Sequence, residues 1–207
     1  MRYLVLFFML VTISSAVAAK NLKGKIFYLD GSVEEVKFRI PVDFLSGNPK
    51  YHIIQEGMKY YQGNSLRNLD PSGVDKVILA NKDEIITMVV VPNFDGKGEV
   101  IKGAGSEIFI RILKEGALNL YELAQTFNTG PMIDANGMVM GGGQSISHLY
   151  LLQFSEQELH RIETPFKREM AEYFKDCPKL VALIENRYIT KKDIFLMVDF
   201  YNNSCVE

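Results

Sequence analysis

The chain of 207 residues has no tryptophan, two cysteines and three histidines. That is too little for the ligand sets of a zinc domain or the bridged framework of a small disulfide scaffold. Charge of one sign is also missing. The 23 Lys plus Arg against 25 Asp plus Glu leave a formal net charge of −2, so there is no basic field for coating nucleic acid. Long apolar runs are absent after residue 20: Ile85–Val91 is broken by Thr87 and Ile194–Val198 is short, against the roughly 20 residues that a spanning helix needs. No period repeats along the chain, which excludes solenoids and propellers. What is present is an ordinary globular composition, 47% apolar and 23% charged, far from the signature of disorder.

Met1–Ala19 opens with one positive side chain, Arg2, runs through apolar residues from Tyr3 to Val11, and ends in Ser14, Ser15, Ala16, Val17, Ala18 and Ala19. This is the pattern of a secretory signal peptide, with cleavage expected before Ala19 or Lys20. Residues 20–207 are then expected to form a single soluble domain without a stable transmembrane span, in the periplasm or at the cell surface.

Two extended runs between Lys23 and Ile40 flank Asp30-Gly31, and Val36, Phe38 and Ile40 alternate with Lys37 and Arg39 as in a half-buried strand hairpin ended by Pro41. The turn residues of 41–68 leave room only for short strands at Tyr51–Ile54 and Met58–Tyr61. Val74–Leu79 and Glu84–Val91 read as strands across an Asn81-Lys82-Asp83 turn, and Glu107–Leu113 with Leu118–Leu123 as a pair turning at Gly116. The next strand signals are His148–Gln153 and Glu158–Glu163. Residues 124–147 therefore read as a long connection, rich in glycine (Gly130, Gly137 and Gly141–Gly143), solvent-facing and mobile.

After Thr164 the period lengthens. Thr164 is placed to cap a helix with Pro165 in its first turn, and Phe166, Met170, Tyr173 and Phe174 share one face. Pro178 interrupts this helix, Leu180, Val181, Leu183 and Ile184 form a second short apolar helix, and Thr190 with Asp193 resembles a capping box for a third, stapled by Ile189 and Ile194. Strands followed by helices imply α+β: an antiparallel sheet or partly closed barrel of short hairpins (body 20–163), with two to three C-terminal helices (tail 164–205) packed on one face or end.

Residues able to carry chemistry are sparse. Cys177 and Cys205 both lie on the helical tail; an oxidising compartment favours a disulfide, with two buried thiols as the alternative. Their separation is far longer than that of a redox-active Cys-x-x-Cys pair. Gly143-Gln144-Ser145-Ile146-Ser147 approaches the Gly-x-Ser-x-Gly elbow of esterases but lacks the last glycine and the strand-to-helix context. Gly103-Ala104-Gly105-Ser106 lacks the lysine of a phosphate loop. Asn93, Asp95 and Glu99 resemble part of a calcium loop, with Lys97 and Ala104 where ligands belong, so a solvated turn is expected. His148 and His160 fall on adjacent expected strands without a third ligand. Met132, Met138 and Met140 could hold copper(I), although methionine in an adaptable apolar loop accounts for them equally. No cofactor or metal is expected. Phe127, Met132, Ile133, Met138, Val139 and Met140 make the connection more apolar than a solvated linker needs to be, and mark it as an interaction loop.

The segments FIRILKEGALNLYEL, HLYLLQ and FKREMAEYFKDCPKLVALIENRYITKKDIFLMVDFYNNSC resemble a group of uncharacterised exported proteins of Gram-negative bacteria, in which a β-rich body precedes a helical tail with an Asp-Cys-Pro element and a final cysteine. The likeness covers roughly 107–205 and, more loosely, 23–40. It implies envelope localisation and pairing of Cys177 with Cys205, and it transfers no catalytic residue. The function expected is noncatalytic: an exported binding module for an envelope protein. The alternatives are a hydrolase using Ser145 or an unidentified carboxylate, and a carrier of a small apolar ligand inside a partly closed barrel.

Overall fold

The computed structural model describes residues 18–43, 46–82, 84–94, 97–98, 100–130, 132–133, 138–140, 143–154 and 157–206, with backbone only at 128–129, 132–133, 139–140 and 143–144. Most of the expected signal segment, residues 1–17, lies outside them.

Ten strands form one open antiparallel sheet. In chain order they are β1 (Ala19–Tyr28), β2 (Val33–Pro41), β3 (Met58–Gln62), β4 (Ser65–Leu69), β5 (Val74–Asn81), β6 (Glu84–Pro92), β7 (Glu107–Lys114), β8 (Leu118–Thr129), β11 (Gly143–Phe154) and β12 (His160–Arg161). Between β8 and β11, the two-residue strands β9 (Met132–Ile133) and β10 (Val139–Met140) pair only with each other. The spatial order β12-β11-β8-β7-β6-β5-β1-β2-β3-β4 leaves β12 and β4 at opposite ends. Helix α1 (Tyr51–Ile54) precedes β3, and α2 (Phe166–Tyr173), α3 (Pro178–Glu185) and α4 (Ile194–Ser204) follow the sheet. The architecture is thus α+β with the helices mostly C-terminal.

Strand alternation sorts the apolar side chains onto two faces. On the front face, Leu22, Ile26, Phe38, Val77, Leu79, Met88 and Phe109 form one core with Ile54 of α1, while Leu118, Leu120 and Leu152 form a second with Met170, Phe174, Leu180, Ile184, Met197 and Val198 of α2, α3 and α4. On the back face, Ile108, Ile110, Tyr121, Leu123 and Leu151 pack under Val100 and Leu159. A β-carbon at Gly24 would lie 2.3 Å from the Ile78 carbonyl oxygen and 2.9 Å from the Phe38 ring, so glycine lets Phe38 cross β1. The helical tail is tied to the sheet by Asn202, whose side-chain oxygen accepts from the Leu118 N–H (2.8 Å) and whose amide donates to the Leu118 carbonyl (3.0 Å).

Several elements differ from the sequence reading. Tyr51–Ile54, expected as a strand, is one helical turn, because its buried end must reach over the front face from β2 to β8. The strand expected at Glu158–Glu163 shrinks to His160–Arg161, the residues there paired with β11, while Leu159 and Ile162 on either side enter the back and front cores. Thr164 does not cap α2. Pro165 takes the cap position in an extended conformation after a cis Thr164–Pro165 bond, and the Glu169 carboxylate reaches back to the Glu163 N–H (2.9 Å). β4 had no signal in the sequence reading. Within the expected connection 124–147, residues 124–129 and 143–147 are strand: β8 and β11 pair residue for residue from Leu118↔Phe154 to Thr129↔Gly143.

Candidate functional site

The β8–β11 hairpin outreaches its neighbours. β7 pairs with β8 only as far as Arg111↔Glu122, and β12 pairs with β11 only at Leu151 and Leu152. Beyond those points the two strands continue as a ribbon roughly 24 Å long, to Thr129↔Gly143, with no third strand beside it among the described residues. Its root is wedged by Gln55. The register of β7 and β8 would set Phe109 opposite Ala124; instead the Phe109 N–H donates to the Gln55 main-chain carbonyl (2.8 Å) and the Ala124 N–H to the Gln55 side-chain oxygen (3.0 Å). Gln55, only 1% exposed, thus replaces one rung of the ladder and splits β8 from β7. On the back face Gln125 donates to the Val100 carbonyl (2.8 Å).

Both faces of the ribbon carry exposed apolar side chains. Phe127, opposite Ser145 on the back, and Ile146, opposite Thr126 on the front, are each 48% exposed, and Met138 between β9 and β10 is 69% exposed. They stand singly on the two faces and at the tip, as do Leu29, Ile85 and Tyr188 elsewhere on the surface, so what distinguishes them is their place on a projecting ribbon.

An ionic network lies on the front face at the ribbon's root. Glu122 accepts from Arg111 Nη1 (3.1 Å) and pairs with His148 Nδ1 (3.0 Å), while Arg111 also meets Glu84 and sits 5.0 Å from the centre of the Tyr51 ring. The Glu122 side chain is 12% exposed, so its charge is compensated by partners on both sides. A histidine held through Nδ1 by a carboxylate presents Nε2 outward, as in acid–base dyads. Here, however, the flanking strand residues Ser145 and Ser147 lie on the opposite face from His148. The same strip continues to Tyr150, whose ring meets Phe195 of α4 edge-on at 6.2 Å.

A second ionic group joins the body to α2. Glu169 lies 3.3 Å from His160 Nε2 and 3.6 Å from Lys97 Nζ, and Lys97 also reaches Glu163 (2.9 Å). That contact holds the Glu163 carboxyl below, and the Lys97 ammonium above, its ordinary range. His160 stacks on Tyr173 at 4.3 Å, and burial pushes the Tyr173 hydroxyl far above the usual phenol range. A shallow groove of about 1240 Å³ runs along α2 past these groups, with both charge signs on its walls (Lys167 and Arg168 against Glu172 and Glu185).

The residues singled out from sequence fall as follows. Cys177, ahead of α3, and Cys205, ending α4, are joined as a disulfide with Cα atoms 5.5 Å apart. Ser145 sits in mid-strand, outside any elbow. His148 and His160 do not face each other, because each is paired with a different glutamate. Asn93 is buried and spends its side chain on its own loop, bonding Ile101 N, Ile101 O and Gly105 O; Asp95 and Glu99 lie outside the described residues. No cluster of His, Cys, Asp or Glu fit to hold a metal occurs among the described residues. Of the expected interaction loop, Phe127 is on the ribbon and Met138 beside β10; Met132, Ile133, Val139 and Met140 form the small β9–β10 ladder, their side chains outside the description. The Gln55 wedge and the Arg111–Glu122–His148 network were missed. The alternation of Arg111 among isoleucines was visible, but not its partners.

The fold and site define an open α+β sheet protein with a projecting two-stranded arm and a disulfide-closed helical tail. No protein-family model, curated protein or solved structure matches the chain. No helix among the described residues is long and apolar enough to cross a membrane.

Proposed function

We propose that the chain is a noncatalytic exported protein of the cell envelope or surface, cleaved near residue 19, that binds a protein partner through the arm formed by β8 and β11. The observation that carries this reading is the arm itself, a ribbon contacted at its root by Gln55 and the Arg111–Glu122–His148 network, with Phe127, Ile146 and Met138 exposed beyond it. The disulfide supports export, because such bonds persist in oxidising compartments.

Neither alternative has comparable support. A hydrolase built on Ser145 would need a base beside it, and His148 is on the other face of the strand, bound to Glu122. A carrier would need the sheet to curl under α1 into a partly closed barrel with room inside, whereas that region is filled by Phe38, Phe109, Ile26, Leu79 and Met88, each 0% exposed.

Affinity capture from the native envelope, comparing the parent with Phe127→Asp and Met138→Asp, tests the reading. A partner recovered with the parent and lost with either variant, at unchanged thermal stability, is the expected result. Identical recoveries from all three would remove the arm from the function.

A further inference from the structure

The outer edge of the arm is the side of β11 that faces away from β8. Ile162 N–H donates to the Tyr150 carbonyl (3.2 Å), so Tyr150 turns its main chain away from β8. Main-chain direction alternates along a strand, which sends the N–H and C=O groups of His148, Ile146 and Gln144 to that same outer edge. The opposite strand agrees: Ala124, the partner of His148, points its N–H away from β11, toward Gln55. Those edge groups have no strand beside them among the described residues.

Natural sheets guard such edges with lysine, proline, bulges or very short strands. Gly143-Gln144-Ser145-Ile146-Ser147-His148-Leu149 has no lysine, acid or proline, and it pairs with β8 without a register shift. It is also nearly symmetric about Ile146, with Ser145 and Ser147 on either side and two hydrogen-bonding residues, Gln144 and His148, outside them.

We propose that two copies of this chain associate by antiparallel pairing of β11 with β11, about a two-fold axis through Ile146. In that register Ile146 faces Ile146 of the second copy as a hydrogen-bonded pair, and Gln144 faces His148, each pair exchanging both N–H···O bonds. The Ile146 side chains, now exposed, meet on the front face. Each free edge ends at Tyr150, where Ile162 takes over. The two Tyr150 positions then lie eight residues of strand apart, roughly 27 Å, which clears two helical layers about 10–12 Å thick. The interface is small, so the dimer is weak and concentration-dependent. A self-pairing edge leaves Phe127 on the other strand exposed for the partner proposed above, and it is tested without that partner.

Sedimentation velocity of the purified chain over a wide concentration range, together with amide exchange, decides the matter. A shift toward dimer with concentration is expected, accompanied by slower exchange at Gln144, Ile146 and His148, with no change at Ser145 and Ser147, whose amides already face β8. Ile146→Lys, which sets two ammonium groups across the axis, should weaken the dimer at least tenfold without loss of secondary structure. Ile146→Glu should do the same, and an equimolar mixture of the two variants should dimerise again. Phe127→Asp should dimerise like the parent. A parent chain that stays monomeric at all concentrations overturns the proposal, as does undiminished association of Ile146→Lys or a mixture no better than either variant alone. Protection of the same amides by a different polypeptide, with the chain itself monomeric, would assign the edge to that polypeptide instead.

Discussion

Gln55 joins α1 to two strands at the root of the arm. It sits at the end of a one-turn helix, yet its main-chain and side-chain oxygens satisfy two strand amides that would otherwise be buried and unbonded. An orphaned buried amide costs about 1–3 kcal/mol, so Gln55→Leu should lower unfolding stability by that amount in urea titration, with faster amide exchange at Ala124. Gln55→Glu keeps the acceptor but buries a carboxyl. Burial raises the folded-state pKa of that carboxyl, so this variant should be least stable near neutral pH and should regain stability relative to the parent as the pH falls toward the ordinary carboxylate range. Parent-like stability of both variants would mean that the ladder closes without the wedge.

Among the elements, the tail helices were the easiest to read and the arm the hardest. The capping box at Thr190 forms as the spacing implies: its hydroxyl accepts from the Lys192 N–H and donates to the Asp193 carboxylate (2.7 Å), which also accepts from the Thr190 N–H (2.9 Å), while Ile189 and Ile194 are both buried. These are contacts between residues a few positions apart, so sequence spacing sets them. Thr190→Ala should cost about 0.5–2 kcal/mol by denaturant titration. The Thr190 hydrogen bonds hold the Asp193 carboxyl below its ordinary range. Its folded-state pKa is depressed, so its contribution is present above the unfolded value and is lost as the pH falls through the folded one. Thr190→Ala should therefore show a smaller acid-induced loss than the parent between neutral pH and the carboxylate range; equal losses would remove the cap from the explanation. The arm carries no strand signal because Gln125–Thr129 and Gly143–Ser147 each hold a single large apolar residue, Phe127 or Ile146, among polar and small ones, so no alternation marks them as strands. Their pairing is carried by the ladder with each other, not by burial.

At the scale of the molecule, the tail is closed by the 28-residue span between Cys177 and Cys205. Chain entropy for a loop of that length gives about 3.5 kcal/mol, a sizeable part of a total stability of roughly 5–15 kcal/mol. Cys205→Ser should show about that loss in equilibrium unfolding and should keep its helical circular dichroism. The tail also has its own apolar core and the Asn202 clamp on Leu118. A variant with native stability would assign the whole closure to packing. The Tyr201 hydroxyl also donates to Asp176, and burial together with this hydrogen bond pushes its pKa up to about 12, so Tyr201, Asn202 and Cys205 together tie down the C-terminal end of α4.

The sequence by itself determined the class α+β, the order of strands before helices, the hairpins turning at Asp30-Gly31 and Gly116, the capping box, and which two cysteines could meet. Each depends on local chemistry: alternation, turn residues, caps, or the fact that there are only two cysteines. Only the tertiary structure decided that Tyr51–Ile54 is a helix, that Gln55 separates β7 from β8, and that Glu122 is shared by Arg111 and His148. It also decided that residues 124–129 and 143–147 belong to two paired strands of an arm. In each of these cases the stabilising partner is distant in sequence: 69 positions separate Gln55 from Ala124, and 26 separate Glu122 from His148. Hydrogen bonds and ion pairs over such separations become favourable only once burial has brought the strands together, and no periodicity within a single segment records them.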